Sequence, residues 1–229
     1  LIEVDAGMHR AGLEAGQAVL AFAKRIASHT AKGIELAGVM GWEGHTCDIT
    51  DPEEKHRRVR EAVEPIVESA ALCRKAGFPM PIVSCGGSGT YSITARIPGV
   101  TEIEAGGAVF TDVTYRSWGV DLDPALFVLA TVTSRPTATR AIVDAGRKAM
   151  DGQTSLPVPR DLPGVCVSSL HAEHGLLELA AENPLSVGDK LDFTVGYGDN
   201  TIYQHDTLYG VRDEIIEAVW PILARGKLT

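Results

Sequence analysis

The sequence predicts an α/β chain: about half of a (β/α)8 TIM-type barrel followed by an all-β C-terminal domain. Up to about residue 124, strand patterns alternate with helical periodicities, the signature of β-α-β units and a parallel sheet or barrel. From Phe127 onward, short strand patterns are separated by Gly, Pro and Asp turns, as in a separate all-β module. A barrel of eight strands needs about 200 residues or more, which the first 124 residues cannot supply. The chain is therefore expected to be a fragment or to lean on another chain, and its opening at Leu1, directly inside a strand pattern, agrees with a missing beginning.

Element by element, Leu1 to Asp5 alternates as a strand and is turned by Ala6-Gly7. Glu14 to about Thr30 carries a helical stripe through Ala18, Val19, Ala21, Phe22 and Ile26. Ile34 to Gly41 is the next strand. Thr50-Asp51-Pro52-Glu53 supplies an oxygen-bearing cap and a first-turn proline, and that helix runs to a stop at Gly77. Pro81 to Ser84 is a buried strand ending in CGGSGTY, and Val100 to Glu104 is another. In the second module the expected strands are Phe127–Ser134, Arg140–Val143, Val165–Leu170, Lys190–Val195, Thr207–Arg212 and Ile215–Trp220. The expected domains are thus 1–124 and 125–229.

Composition removes several function classes. A formal charge of −9, with no run of Lys or Arg, repels phosphate backbones, so nucleic acid is not an expected partner. No apolar run approaches the roughly 20 residues that span a bilayer, so no membrane partner is expected. The 4 cysteines stand singly, without CxxC spacing or the density of a disulfide scaffold, which suits a reducing cytoplasm.

Chemistry-bearing motifs sit at the strand ends. Cys85-Gly-Gly-Ser-Gly-Thr-Tyr91 follows a buried strand; its glycines let backbone amides approach an anion and Ser88 or Thr90 adds a hydroxyl, so it is a phosphate cradle or a tight turn. Gly106-Gly107 follows the next strand, and two neighbouring glycine-rich strand ends can share one phosphate. Arg10, past the first strand, is either a fork for a carboxylate or phenolate oxygen or a surface arginine. Trp42 and His45 lie at a fourth strand end, His45 being a candidate acid–base group or a solvated loop residue. In Val195-Gly-Tyr-Gly-Asp-Asn-Thr201, Asp199 is a metal ligand, a catalytic group or a turn residue.

In order, DAGMHRAG, GWEGHT, SCGGSGTY, EIEAGGAVFTD, VDAGRK, HAEHG and HDTLYGVR…VWPILARG resemble the D-threonine aldolase and D-serine dehydratase family of alanine racemase-like, pyridoxal-phosphate (PLP) enzymes. The resemblance runs from Leu1 to about Gly226 and implies the last four barrel strands plus the C-terminal domain. It implies that the Schiff-base lysine lies N-terminal to Leu1, because none of the lysines here stands at a barrel strand end.

By resemblance, Gly87, Ser88, Gly89, Gly106 and Gly107 would bind the PLP phosphate, and Arg10 would sit near the phenolate oxygen beside Trp42, where relatives usually have tyrosine. Glu104 aligns with the position facing the pyridine nitrogen. An acid there favours a protonated ring, since an opposite charge within about 4–6 Å typically shifts a pKa by 1–3 units. The resemblance also implies a divalent metal (Mn, Zn or Mg) held by a histidine and, two residues on, an aspartate or cysteine. Here these positions read Tyr197 and Asp199, so Asp199 has lost its imidazole partner and Tyr197 or His45 becomes the candidate group at the substrate hydroxyl. The implied reaction is cleavage of a β-hydroxy-D-amino acid to glycine and an aldehyde, with elimination to a keto acid and ammonia as the alternative and a non-catalytic phosphate-binding relative as a third reading. A homodimer is the implied assembly.

Overall fold

The computed structural model describes residues 1–28, 33–180 and 183–227. It forms two compact units, one of Leu1–Ala108 with Trp118–Val120, the other of Val109–Ser117 with Asp121–Thr229.

The first unit runs β1 (Ile2–Glu3), α1 (Gln17–Ser28), β2 (Gly38–Gly41), α2 (Pro52–Lys75), β3 (Ile82–Cys85), α3 (Tyr91–Thr94) and β4 (Glu102–Ile103). Its sheet is parallel and ordered β1-β2-β3-β4, with Val39 opposite both Ile2 and Val83 and Cys85 opposite Ile103. Strands in chain order without reversal are a segment of barrel wall, whereas a doubly wound sheet reverses its order at the switch point. Because all four strands point the same way, the segments leaving their C-termini share one edge of the sheet.

Two elements start later than the sequence pattern suggests. Leu13 folds back onto β1, its N–H donating to the Glu3 carbonyl at 2.9 Å and its own carbonyl accepting from Asp5 at 2.9 Å. Glu14 is therefore still in the loop, and α1 begins at Gln17; the expected end at Thr30 lies outside the described residues. β2 pairs only from Gly38, where a Cβ would stand 1.9 Å from the Ile82 carbonyl oxygen. Only glycine lets the two backbones approach so closely.

Local chemistry explains α2. The Asp51 carboxylate accepts from Glu54 N–H at 2.7 Å, Pro52 opens the first turn, Glu53 and Glu54 complement the N-terminal dipole, and Arg74 and Lys75 the C-terminal one. Val59, Val63, Ile66, Ala70 and Cys73 recur every three or four residues and bury against Val39, Val83, Val19 and Ala23. Gly77, at φ +90°, ends the helix in the left-handed conformation.

The second unit carries α4 (Val113–Ser117), then β5 (Phe127–Thr137), β6 (Arg140–Val143), β7 (Val158–Pro159), β8 (Val165–Leu170), β9 (Gly175–Leu179) and β10 (Lys190–Thr194). These strands form one sheet ordered β7-β10-β5-β6-β9-β8, paired antiparallel along β10-β5-β6-β9-β8. Alternate residues of β5 (Val128, Ala130, Val132) meet Phe193, Leu177 and Val143 in a core separate from that of the first unit. β9 has no counterpart in the sequence reading, because its Leu-Leu-Glu-Leu core favours helix intrinsically and becomes a strand only by pairing between β6 and β8.

After β10 come α5 (Gly198–Ile202) and the hairpin of β11 (Thr207–Arg212) and β12 (Ile215–Pro221). Asp199, for which a turn is one of three readings, thus stands in a short helix. Among the described residues no helix is long and apolar enough to cross a membrane.

Candidate functional site

In the first unit, the strand ends bring four predicted segments together. The loop after β1 carries Arg10, whose guanidinium lies 5.3 Å from the centroid of the Trp42 ring, which follows β2. His45 is exposed on a 3-10 turn (Gly44–Thr46), and its ring lies against Gly7, where a Cβ would come 2.8 Å from Cε1. Gly7 at φ +110° also donates its N–H to Asp5 Oδ1 at 2.9 Å. Donation from the Gly7 and His9 N–H groups holds the Asp5 carboxyl below its usual range.

The glycine loop after β3 is shaped first by packing. A Cβ on Gly87 would stand 2.7 Å from Trp42 Nε1, and one on Gly89 would stand 2.8 Å from Cys47 Sγ. Glycine there makes room for an indole and a thiol, so the motif needs no anion to explain two of its glycines. Ser88 carries the other half of the reading. It is buried, and its Oγ accepts the Ala108 N–H at 2.8 Å. That bond ties the loop after β3 to the loop after β4 and fixes the hydroxyl with its proton still to give. Gly106, two residues before Ala108, is exposed and has nothing within 4 Å of where a Cβ would be. A fixed hydroxyl joining two glycine-rich strand ends fits a phosphate group.

Glu104 is exposed at the end of β4, and its Oε1 accepts the Ser84 hydroxyl at 2.6 Å. Ser84 is a buried residue of β3. The acid predicted to face a pyridine nitrogen is therefore aimed by the neighbouring strand and keeps Oε2 for a second donor. This too fits PLP.

Sequence reading missed the residue beneath this loop. Glu43 is 0 % exposed, with Oε2 accepting Gly86 N–H at 3.1 Å and Oε1 accepting the hydroxyls of Thr90 at 2.7 Å and Thr94 at 2.5 Å. One carboxylate thus braces the start and end of the glycine loop. In the sequence, Glu43 reads as one polar residue in a loop, and only the threonine spacing at 90 and 94, one helical turn, hints at a shared partner.

Among the described lysines, only Lys55 is buried, and its ammonium donates to the carbonyls of Cys47 at 2.8 Å and Trp118 at 2.6 Å. Burial lowers its pKa. No described lysine stands at the C-terminus of β1–β4, as the sequence reading expects; Lys32 lies outside the described residues. Burial pushes the Cys47 thiol up to about 11 and the Cys85 thiol up to about 12, so neither is a thiolate at neutral pH.

In the second unit, Asp199 lies in the first turn of α5 and is exposed. Its Oδ2 accepts from two phenols, Tyr197 at 2.8 Å and Tyr115 at 3.3 Å. The two rings are tilted with centroids 5.9 Å apart. Burial first, then the neighbouring Asp199, raises both phenols, Tyr197 to about 12 and Tyr115 further, so both remain donors. Behind them Asp112, 1 % exposed, accepts Tyr115 N–H at 2.8 Å on Oδ1 and Gly198 N–H at 2.6 Å on Oδ2. It therefore starts both α4 and α5, and burial raises its pKa. Neither Tyr115 nor Asp112 stands out in the sequence, since FTDVTY shows only a helix-start aspartate.

The residues do not fit a divalent metal. Among the described residues no group of three His, Cys, Asp or Glu side chains is placed to hold one. Of the histidines in the second unit, His205 Nε2 pairs with the Ala149 carbonyl at 2.7 Å, and His171 and His174 lie in the turn between β8 and β9.

Comparison with known proteins agrees with both units. Residues 1–113 match the family described as "Alanine racemase, N-terminal domain", and residues 125–211 match "Putative serine dehydratase domain". The chain is 33% identical over 232 residues to a D-threonine aldolase of Arthrobacter sp, covering 99% of this chain and 60% of that protein. It is 34% identical to a D-threo-3-hydroxyaspartate dehydratase of Delftia sp. (strain HT23), covering 78% of this chain and 51% of that protein. The crystal structure of D-threonine aldolase from Filomicrobium marinum superposes with a TM-score of 0.94 at 30% identity, over 100% of this chain and 64% of that one. The chain thus spans about 60% of the length of the aldolase relatives it matches.

Proposed function

We propose that the whole protein is a PLP-dependent lyase of β-hydroxy-D-amino acids, a reading supported by the matches to the alanine racemase N-terminal domain and the serine dehydratase domain and by the likeness to D-threonine aldolases. The observation that carries this reading is the Ser88–Ala108 bond, which joins two glycine-rich strand ends around a fixed hydroxyl. Ser88, with the amides around Gly87, Gly89, Gly106 and Gly107, holds the phosphate. Arg10, set on the face of Trp42, meets the cofactor's phenolate oxygen. Glu104, aimed by Ser84, meets the pyridine nitrogen and keeps a proton there. PLP, when bound, supplies the electron sink for the pair left on the substrate's α-carbon.

Retro-aldol cleavage is the reaction proposed: the β-hydroxyl loses its proton, the Cα–Cβ bond breaks, and glycine and an aldehyde leave. An aspartate at 199, where the family alternative is cysteine, supports aldol cleavage over elimination. The dehydratase relative supports elimination as the second reading.

The test is product analysis of the full-length protein incubated with D-threonine, D-serine and 3-hydroxy-D-aspartate. Glycine with an aldehyde supports the aldolase reading, and a keto acid with ammonia supports the dehydratase. Bound PLP without either product would mean a non-catalytic relative. Glu104→Gln should lower turnover well beyond its effect on cofactor affinity, and equal turnover would remove Glu104 from the mechanism.

A further inference from the structure

Resting on the reading of Arg10 as the partner of the cofactor's phenolate, we propose that Asp5 is a positioning residue for cofactor binding: its carboxylate folds the loop after β1 so that the Arg10 guanidinium is set on Trp42 before PLP arrives. All of these residues lie in the first unit. The chain leaves β1 and returns to it at Leu13, whose N–H donates to the Glu3 carbonyl and whose own carbonyl accepts the Asp5 N–H, each at 2.9 Å. Gly12, at φ +102°, allows that closure, since a Cβ there would stand 2.6 Å from Asp5 N. Asp5 is thus where the loop both opens and closes.

Inside the loop, the Asp5 side chain ties the turn together. Its Oδ1 accepts the N–H groups of Gly7 at 2.9 Å and His9 at 3.0 Å, and its Oδ2 meets His9 Nδ1 at 3.0 Å. These bonds hold Gly7 at φ +110° and His9 at φ +51°, the latter a left-handed conformation uncommon outside glycine. Arg10 follows that turn directly, and its guanidinium lies 5.3 Å from the Trp42 ring centroid. Among the described residues Arg10 makes no hydrogen bond or ion pair, so the indole face places the cation while its N–H donors stay unspent. A cation already in place loses less freedom when it meets an anionic oxygen, and that gain is what Asp5 supplies.

The experiment is a double-mutant cycle on the full-length protein freed of PLP, with PLP affinity titrated by absorbance. In parallel, NMR follows the Trp42 indole N–H, its signal assigned with Trp42→Phe. Asp5→Ala should weaken PLP binding about tenfold in the native background and less than about twofold where Arg10→Ala is already present. It should also move the Trp42 signal of the PLP-free protein in the direction that Arg10→Ala moves it. Asp5→Asn, which keeps an oxygen for the Gly7 and His9 N–H groups, should stay within about threefold of wild type. If Asp5→Ala does not fold, His9→Val takes its place in the cycle. The His9 side chain is 86% exposed, and a β-branched residue at φ +51° disturbs the turn without opening the core. Equal losses of PLP affinity with and without Arg10, or an unmoved Trp42 signal, overturn the inference and leave the lyase reading intact. Arg10→Ala that binds PLP as tightly as wild type overturns the reading of Arg10 and the inference with it.

Discussion

Removing the Glu43 carboxylate should cost the first unit far more than muting its charge. Glu43 is fully buried and serves three donors, the Gly86 N–H and the hydroxyls of Thr90 and Thr94. Glu43→Ala strands a backbone N–H and two hydroxyls in the interior and leaves a cavity. A buried donor without a partner costs about 1–3 kcal/mol, but hydroxyls can turn to other acceptors, as Thr90 can toward the Gly87 carbonyl at 3.5 Å. One stranded N–H, partial loss at two hydroxyls and the cavity together give about 3–5 kcal/mol. Glu43→Gln keeps the volume. Its amide oxygen can serve Gly86 while its NH2 donates to hydroxyls that turn to accept, and the buried charge disappears, so the net loss should be about 1 kcal/mol. Thr94→Val, which removes one donor and keeps the carboxylate, should fall near the Gln variant. The assay is urea unfolding of the full-length protein, with PLP affinity titrated on the same samples, where Glu43→Gln should weaken binding about tenfold by loosening the Gly86–Thr90 loop. Stabilities of the Ala and Gln variants within 0.5 kcal/mol of each other would refute the reasoning, because the stranded donors would then carry no cost.

Three further outcomes follow from the same geometry. Gly106→Ala should leave the unfolding midpoint unchanged while weakening PLP binding, because its Cβ meets nothing within 4 Å, whereas Gly87→Ala should lose about 1–3 kcal/mol and shift tryptophan fluorescence as its Cβ displaces Trp42. Iodoacetamide at pH 8 should place one adduct on the native chain, at exposed Cys166, and mass spectrometry finding adducts on buried Cys47, Cys73 or Cys85 would contradict their burial. For Lys55, burial lowers the folded pKa below 10.5, so the unfolded chain binds more protons between the two values and stability should rise with pH through that window. Lys55→Met should lack this rise, and parallel stability–pH curves for the two proteins would refute it.

What the sequence made legible is what depends on local pattern. The cap and stop of α2, the strands β6, β8 and β11, and the placing of Arg10, Trp42, Ser88, Glu104 and Gly106 at strand ends all follow from residues within one element and its turn. Even there the reason for a residue could differ from the one read: Gly87 and Gly89 sit where an indole and a thiol press on the backbone. β9 was illegible because its leucines favour helix and only its neighbours make it a strand. Tyr115 and Asp199 were illegible as a pair because 84 residues separate them.

Glu43 and Asp112 show why the supporting groups escape a reading by motif. A catalytic or binding side chain must stand at an exposed strand or helix end, where turn residues mark its place, but the group that fixes it must be buried and satisfied. A buried carboxylate is tolerated only when its oxygens find donors, and here both find some on the backbone: Gly86 for Glu43, beside the Thr90 and Thr94 hydroxyls, and Tyr115 and Gly198 for Asp112. Backbone N–H groups are the same in every sequence, so such a partner leaves no mark in composition or spacing. Each carboxylate also holds a segment that carries candidate site residues, the glycine loop in one unit and the start of α5 with Asp199 in the other. Substitution at either should therefore change ligand binding and stability together, whereas substitution at exposed Asp199 should cost little stability.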